Sequence, residues 1–403
     1  MSVYINTDIQ RCMKNIRDPL YGFITVNEME LDVVSAPAVQ RLRRVAHLGL
    51  SDAVYPSATH SRFEHSLGVM HLAGELAESL GLPEETSQAY RIAGLLHDVG
   101  HSPFSHALEE VIEERLGFEH ERQSERIIRE LDELYAPDAE FVIDIIHGNT
   151  KYDLVAGAID ADRLDYLQRD ARRTGFRNSS VDVRTIVKFA RRHDDRIVFD
   201  KKAVQAIEDM FSARLRMLKT IAGHHATRIA EAMLRRAVTE FLDETGYTAE
   251  DVLTWDDYQL HTHLLEHEGH EHIPAETDPQ LYTRIANRDL YKRALYVNEN
   301  TIGRETLAEI ARKYDDPTSI EAQIAADTGV SPQQVIVDLP SLPDEESTHV
   351  HIMMADGVRA FSDISPTPSH LVDVQWRNTT LGVYAPPSDI DTVQAAAESY
   401  FGL

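Results

Sequence analysis

The chain has 403 residues, 42% of them hydrophobic, which is enough for one large domain or two modest ones. Its 67 acidic and 40 basic residues give a net charge of −27, which argues against broad binding to double-stranded nucleic acid. No run of 18 apolar residues could span a bilayer, the first residues lack a secretory leader pattern, and Cys12 is the single cysteine. These features predict a soluble, cytoplasmic protein without an intramolecular disulfide.

The charge is unevenly distributed along the chain. Residues 241–403 carry 29 acidic and 9 basic residues, whereas residues 1–240 carry 38 and 31. Only 8 basic residues are lysines and 32 are arginines. An acidic, lysine-poor surface is typical of proteins from a high-salt cytoplasm, where charge repulsion is screened; an acidic patch for a basic partner is the alternative. We therefore predict a halophilic protein whose first part keeps arginines for a phosphate ester.

The first part of the chain has a mostly helical pattern. Residues 18–26 predict a turn followed by a short strand. Beyond Pro37, apolar residues recur at three- and four-residue steps, which indicates amphipathic helices. The predicted helices cover residues 67–80, 86–98, 103–116, 121–134, 157–173 and 203–242.

The last part of the chain has a mixed pattern. Residues 279–328 look helical, and residues 390–401 predict a final helix. Three short apolar runs predict strands at residues 335–337, 352–354 and 358–361. Asp356 and Gly357 between the last two are typical of a two-residue hairpin turn. The sequence thus predicts a mainly α fold, with a helical domain over residues 1–245 and a smaller acidic α+β region over residues 246–403.

Metal-binding chemistry is indicated by a His-Asp pair in an apolar setting. The pair His193-Asp194 means little, because it lies in a run of charged residues and reads as solvated. His97-Asp98 differs because an apolar helix carries it to a break at Gly100, toward the interior. Burial of an imidazole beside a carboxylate is costly unless the two are paired or bind a metal. A helix cap formed by the pair is the alternative.

Two further sets of side chains share helix faces. Asp162, Tyr166 and Asp170 are four residues apart, so they lie on one face of a predicted helix and can line one pocket. Core packing is the alternative for Tyr166. His106 and Glu109 are three residues apart, and a histidine oriented by a carboxylate suits acid–base catalysis.

Taken together, these motifs resemble the HD-domain family of dNTP triphosphohydrolases, which includes the mammalian SAM-and-HD-domain nucleotide hydrolase and bacterial relatives. The resemblance extends over about residues 16–225 and includes the segments 18–22, 40–43 and 98–106. It implies a helical HD domain whose H…HD…D signature binds a divalent metal ion through His65, His97, Asp98 and Asp162. Two imidazoles and two carboxylates suit Mn²⁺, Mg²⁺, Fe²⁺, Ni²⁺ or Zn²⁺. Such a metal can polarise a phosphoryl oxygen and activate water.

The same resemblance implies roles for the surrounding side chains. Those implied to contact the phosphates of a nucleotide are Arg62, Arg163 and Tyr166. Those implied to lie near the sugar are Asp170 and His47. Those implied to be catalytic are His106, Glu109 and His120. The resemblance also implies a homo-oligomer, either a dimer or a tetramer.

Some positions depart from the mammalian pattern. His47 stands where the mammalian enzyme has glutamine, and Glu109 where it has aspartate. Ala222 stands where relatives carry a tyrosine beside the sugar. Ser35 replaces an aspartate that reads guanine at the mammalian allosteric site, although Gln40 and Arg43 are retained. The change at Ser35 argues against activation by guanine nucleotides.

The function predicted from the sequence is hydrolysis of a dNTP, of dGTP type, at the α-phosphate. His106 would protonate the leaving 5′-oxygen, and the products would be deoxynucleoside and triphosphate. Two alternatives remain: another HD phosphohydrolase acting on a nucleoside monophosphate or a cyclic dinucleotide, and a non-catalytic protein that senses nucleotides or binds single strands.

A second group of histidines lies among glutamates at positions 261, 263, 267, 270 and 272. Their spacing fits no standard metal site, so a solvated loop or a frayed helix is predicted there.

Overall fold

The computed structural model describes residues 13–117, 120–135, 137–176, 181–269, 280–314, 316–342 and 349–403. Its helices are α1 (Glu28–Ser35), α2 (Pro37–Arg41), α3 (Arg62–Ser79), α4 (Glu84–Leu96), α5 (Glu109–Leu116), α6 (His120–Glu130), α7 (Ala139–Ile146), α8 (Ala161–Thr174), α9 (Val183–Phe189), α10 (Val204–Met217), α11 (His225–Glu244), α12 (Ala249–Thr254), α13 (Asp257–His267), α14 (Leu281–Ala286), α15 (Glu299–Ile302), α16 (Arg304–Lys313), α17 (Pro317–Thr328), α18 (Thr367–Asn378) and α19 (Ile390–Phe401). Helices dominate, which confirms the predicted mainly α fold. Within the described ranges, no helix is both long and apolar enough to cross a membrane.

The strands are β1 (Lys14–Asp18), β2 (Gly22–Val26), β3 (Ala190–His193), β4 (Arg196–Asp200), β5 (Lys292–Asn298), β6 (Ile336–Asp338), β7 (His351–Met354), β8 (Gly357–Ala360) and β9 (Thr380–Ala385). They form an antiparallel β1-β2 hairpin, a four-stranded sheet of order β3-β4-β7-β8 and a three-stranded sheet of order β5-β9-β6. β4 and β7 are parallel, with Phe199 opposite Ile352. Strands from before and after residue 245 therefore share a sheet, and the domain boundary at that residue stays a prediction.

Three helices converge on the predicted metal ligands. The side chain of Ser61 accepts a hydrogen bond from the backbone N–H of Glu64 and so caps the start of α3. Apolar side chains of α3 such as Leu67 and Met70 are buried, and the helix packs against α4 and α8. This packing places His65 on α3 beside the end of α4 and the start of α8.

Several predicted elements are confirmed. The helices predicted at residues 67–80, 86–98 and 390–401 correspond to α3, α4 and α19. The strand within residues 18–26 is β2, and the three predicted C-terminal strands are β6, β7 and β8. β7 and β8 form the predicted hairpin, but Met354 pairs with Gly357, so its two turn residues are Ala355 and Asp356, one position before the predicted Asp356 and Gly357.

The helix predicted over residues 103–116 is wrong in its first half. Ser105–Leu108 form a 3₁₀ turn, and α5 begins only at Glu109. Phe104 and Ser105 have φ angles of 55° and 57°, in the left-handed region that residues other than glycine rarely adopt. Pro103 therefore lies in an irregular loop and does not start a helix.

Two long predicted helices are interrupted. The helix predicted over residues 203–242 divides into α10, a π-helical turn (Leu218–Ala222) and α11. The Gly223 N–H donates to the Leu218 carbonyl at 2.8 Å, and His224 Nδ1 accepts from the Ala226 N–H and caps α11. Residues 279–328 contain β5, which pairs with β9 about 90 residues later in the chain. Such a distant partner leaves little trace in the local sequence pattern.

Candidate metal centre and substrate cavity

His65 is buried and directed at Asp162 by a hydrogen bond on its other side. Its Nδ1 donates to Asp165 Oδ2 at 2.9 Å, and its Nε2 lies 3.0 Å from Asp162 Oδ1. Asp162 lies in the first turn of α8, whose N-cap, Asp160, accepts from the backbone N–H of Arg163. A carboxylate that fixes Nδ1–H leaves the Nε2 lone pair of a neutral histidine for a metal ion.

His97 and Asp98 lie where α4 ends. His97 is the C-cap, and its Nδ1 donates to the Gly94 carbonyl at 2.9 Å, which again leaves Nε2 as the acceptor. That Nε2 is buried and has no hydrogen-bond partner among the described residues. It lies 3.3 Å from Asp98 Oδ1 and 3.9 Å from Asp162 Oδ1. An orphaned buried nitrogen beside two carboxylates fits a divalent cation.

The four predicted metal ligands are thus brought together. His65 Nε2 is also 3.8 Å from Asp98 Oδ2. Burial opposes the charged form of His65, but Asp162 and Asp165 outweigh burial and raise its pKa to about 10. Burial likewise opposes ionisation of Asp98, but the charges of Arg62 and neighbouring histidines hold its pKa well below the usual range. The donor set, two imidazole nitrogens and two carboxylates, fits the metals predicted from the sequence.

A buried ion-pair network behind His65 was missed at the sequence level. Asp165 is fully buried and accepts two hydrogen bonds from Arg169, at 2.8 Å each, and one from the Tyr21 hydroxyl at 2.6 Å. Arg169 also donates to Asp18 at 3.0 Å. A methyl group on Gly68 would overlap Asp165 and Arg169, so glycine is needed there. The four-residue spacing of Asp165 and Arg169 was the available local signal.

Arg62, predicted to bind phosphate, is buried and tied to a predicted metal ligand. Its Nη1 donates to Asp98 Oδ2 and its Nε to Ser105 Oγ, both at 2.6 Å. Its Nη2 has no hydrogen-bond partner within the described ranges. Arg62 therefore orients Asp98 and also keeps one donor for a ligand.

Glu109 connects the predicted acid–base residues. Its carboxylate oxygens lie near the Nδ1 atoms of three histidines: His106 at 2.8 Å, His120 at 2.9 Å and His101 at 3.3 Å. Burial alone would raise the pKa of Glu109, but the histidines outweigh it and hold that pKa low. His101 is buried against Asp98, at 3.2 Å, and burial lowers the pKa of His101 to about 3. His101 thus lies between Asp98 and Glu109.

A cavity of about 430 Å³ opens beside these groups. The predicted site residues that line it are His47, Arg62, His65, His97, Asp98, His106, His120, Asp162, Arg163, Tyr166 and Asp170. Glu109 stands behind His106 and His120, the two histidines predicted to be catalytic, and lines a neighbouring cavity. The prediction that Asp162, Tyr166 and Asp170 face one pocket is therefore confirmed, with Tyr166 half-buried.

Two residues that were not singled out from the sequence, His60 and Arg214, contribute to this site. Buried His60 donates from Nε2 to Asp170 Oδ1 at 2.7 Å, whereas His47 Nε2 is 3.7 Å from the same oxygen. Arg214 lines the cavity as a third arginine, and Ala222 contributes a small side chain to its wall. His60 follows no recognisable local motif, and Arg214 lies in a helix whose spacing alone does not mark a site.

Two groups of sequence-level candidates lie apart from the cavity. His193 and Asp194 are exposed at the β3–β4 turn, as the solvated interpretation predicts. On α13, His261 bonds to Tyr282, His263 stacks on Trp255 and His267 pairs with Glu244. These three histidines share no candidate metal cluster within the described ranges. His270 and His272 lie outside the described residues.

Comparison with family profiles and known proteins agrees with this geometry. The profile described as HD domain matches residues 62–170, and the one described as HD associated region matches residues 181–403. An uncharacterized protein of Methanocaldococcus jannaschii is 32% identical over 94% of this chain and 80% of its own length. The match to the HD associated region and the match to the M. jannaschii protein extend the resemblance well beyond the motifs.

Two further comparisons concern proteins with a named activity. The deoxynucleoside triphosphate triphosphohydrolase SAMHD1 homolog of Dictyostelium discoideum is 27% identical over 93% of this chain and 78% of that protein. The structure of a phosphohydrolase from Bacteroides thetaiotaomicron superposes with a TM-score of 0.71 and 25% identity, and covers 93% of this chain and 99% of that chain. The resemblance drawn from the sequence is confirmed.

Proposed function

The chain belongs to the HD-domain family and carries the HD-associated region, and we propose that it hydrolyses dNTPs to deoxynucleoside and triphosphate. At the coarser level it is an HD-superfamily phosphohydrolase. The finer activity is that named for the D. discoideum relative. dGTP is the substrate we expect within this class.

The observation that carries the proposal is the combination of groups around one cavity. His65, His97, Asp98 and Asp162 lie at the cavity beside the arginine side chains of Arg62, Arg163 and Arg214. A triphosphate is strongly anionic, and guanidinium groups bind its oxygens well. When bound, a divalent cation would neutralise phosphate charge and activate water as a Lewis acid. The cavity thus offers both partners that a triphosphate ester requires.

The side chains of α8 and α3 are proposed to hold the substrate. Arg62, Arg163 and Tyr166 contact the phosphates in this proposal, and Asp170 with His47 contacts the sugar. Arg163 is oriented by its contacts with Asp160 and the Gly157 carbonyl. The His60 hydrogen bond fixes the Asp170 carboxylate. Fixed partners of this kind reduce the entropy lost when the substrate binds.

His106 is proposed as the general acid. Its Nδ1 faces Glu109 at 2.8 Å, which leaves Nε2 for proton transfer toward the cavity. Water adds to the α-phosphorus, the bond from phosphorus to the 5′-oxygen breaks, and His106 delivers a proton to that oxygen. The net reaction moves one proton from water to the 5′-oxygen. Glu109 and His120 keep the acid oriented between turnovers.

Product analysis tests the proposal. The purified protein is incubated with each dNTP, with nucleoside monophosphates and with a cyclic dinucleotide, in high salt with Mn²⁺, Mg²⁺, Fe²⁺, Ni²⁺ or Zn²⁺. Release of triphosphate and deoxynucleoside from dNTPs is the expected result. Orthophosphate from monophosphates, or a linear dinucleotide, would indicate another HD activity. No product with any metal would favour a non-catalytic nucleotide-binding protein.

Two expectations about the whole protein belong to the same proposal. A homo-oligomer should be seen by light scattering, and activity should be greatest at high salt. A monomer, or an enzyme inhibited by high salt, would contradict these expectations without touching the reaction itself.

A further inference from the structure

The loop that carries His106 has a strained backbone. Phe104 and Ser105 are consecutive residues with positive φ, at 55° and 57°. Residues other than glycine occupy this region at a cost and stay there only when their surroundings hold them. The Ser105 hydroxyl, bonded to the Ala46 carbonyl and to Arg62, holds part of this loop. The Phe104 half of the loop must be held by other contacts.

Asp257 meets this loop from the HD-associated region. Its Oδ1 accepts from the Phe104 N–H at 2.7 Å, and its Oδ2 accepts from the Ala46 N–H at 2.8 Å. Phe104 lies two residues before His106, and Ala46 directly precedes His47. One carboxylate therefore bridges the two segments that carry the proposed acid and a proposed sugar contact. It lies in the first turn of α13, where the helix dipole favours negative charge.

The residues before Asp257 bind the same part of the site. Asp256 pairs with Arg44, and the Trp255 carbonyl accepts from Arg41 at 2.7 Å. Arg41 also donates to the carbonyl of His101 at 2.6 Å. All three residues of segment 255–257 thus bind residues that lie far earlier in the chain, 153 positions for Phe104 and 211 to 214 positions for Arg41, Arg44 and Ala46. These contacts are polar and directional, so they fix position and not only proximity.

We propose that Asp257 is a positioning residue that holds the His106 loop and the His47 segment in their active arrangement. The inference rests on the proposed function for its catalytic consequence, but not for the loop geometry. In the plain alternative, Asp257 only stabilises the fold. The two hypotheses differ in what the loss of Asp257 does. Loss of a contact that only stabilises the fold lowers the melting temperature but leaves kcat unchanged at temperatures far below the melting temperature. A positioning contact changes kcat at constant fold and constant bound metal.

Three variants test the proposal: one removes both acceptor oxygens, one removes a single acceptor, and one is a control. Asp257→Ala removes both acceptors, whereas Asp257→Asn keeps one oxygen and a similar shape, and is the variant to use if the alanine variant does not fold. Asp251→Asn is the matched control, because its carboxylate, also near a helix start in this region, bonds to Thr248 and to no other residue that the structure describes. The control changes charge equally and leaves the loop contacts intact.

The readouts are amide hydrogen exchange, metal content and steady-state kinetics of the metal-loaded protein. We expect the Phe104 and Ala46 amides to exchange at least about tenfold faster in Asp257→Ala, and less so in Asp257→Asn. Bound metal should be unchanged. The kcat for a dNTP should fall by about 10- to 100-fold, with a smaller change in KM, since misplacement by about 1 Å can cost a hundredfold.

The outcomes separate the two hypotheses. Unchanged exchange of both amides in Asp257→Ala would overturn the inference, and so would faster exchange with an unaltered kcat. An equal loss of kcat in Asp251→Asn would also overturn it. If the wild-type protein hydrolyses no nucleotide, the proposed function fails, while the exchange measurement still decides whether Asp257 holds the loop.

Discussion

The candidate metal centre and the acidic C-terminal part of the chain use carboxylates in opposite ways. At the centre, Asp98 and Asp165 are buried, and each is paired with a buried arginine, Arg62 or Arg169. Residues 241–403 carry 29 acidic residues against 9 basic ones, so most of their carboxylates have no basic residue of their own part to pair with. The centre is therefore held by specific pairs, whereas the later part is governed by net charge.

The exceptions in the acidic part follow the same rule as the centre. Asp338 and Glu321 are buried, and they pair with Arg228 and Arg236, both on α11. Both arginines lie before residue 245, in the part of the chain that carries 31 of the 40 basic residues. In these four cases a buried carboxylate is paired with an arginine, because a buried unpaired charge is far more costly than an exposed one. Buried Asp170 has His60 as its partner instead.

Removal of a metal ligand should have the largest effect and tests the paired centre directly. Asp162→Ala should abolish metal binding and hydrolysis with little loss of helical structure, because a four-ligand site tolerates little loss. Metal content by mass spectrometry and circular dichroism measure the two effects. Full activity in a metal-free Asp162→Ala protein would contradict the proposed centre.

A change in the Asp165–Arg169 pair, which lies behind the proposed ligand His65, should have the next largest effect. Asp165→Asn weakens the hold on His65 Nδ1–H and should lower metal affinity by about 10- to 100-fold, as for other groups that orient metal ligands. Calorimetric titration of the metal-free protein measures it. Asp182→Asn, which alters an exposed N-cap of α9, should leave the affinity unchanged. Equal affinity in both variants would mean that the buried pair serves stability alone.

The pH dependence of metal binding tests whether His65 is protonated in the metal-free protein. Because Asp162 and Asp165 raise the pKa of His65 to about 10 against the effect of burial, a metal ion must displace a proton below that pH. Affinity should therefore rise by about tenfold per pH unit toward pH 10. Titrations at several pH values measure the slope. Equal affinity at neutral and mildly alkaline pH would show that His65 is already neutral in the metal-free protein.

Ionic strength should have the smallest effect and should act mainly on the acidic part. The Debye length grows from about 3 Å at 1 M salt to about 30 Å at 0.01 M, so repulsion within residues 241–403 increases at low salt. Hydrogen exchange there should accelerate before exchange in α3 and α8 changes. Uniform exchange at both salt concentrations would remove the contrast between the two parts.

The sequence predicted what local patterns encode. Periodic apolar residues defined α3 and α4, and the four-residue spacing of Asp162, Tyr166 and Asp170 placed them at one cavity. The family resemblance supplied roles that spacing alone does not, such as those of His106 and His120. Those roles stay predictions, while the positions of the side chains agree with them.

What the sequence did not predict depends on distant partners. β5 was read as helix because its partner β9 lies far along the chain. The hydrogen bond from His65 to Asp165 joins residues 100 positions apart. Phe104, which has a positive φ, donates its N–H to Asp257, 153 positions away, and the sequence near Pro103 does not indicate this conformation. Local propensity cannot resolve such cases, because tertiary contacts override it.

Asp257 and the His106 loop are far apart in the sequence, and this separation affects the order of folding. During synthesis, all four proposed metal ligands have emerged once Asp162 leaves the ribosome, whereas the anchor at Asp257 appears 95 residues later. Long-range contacts form late because closing a long loop costs entropy first. The proposed metal ligands are therefore all present on the nascent chain before the residue that, in our proposal, holds the His106 loop.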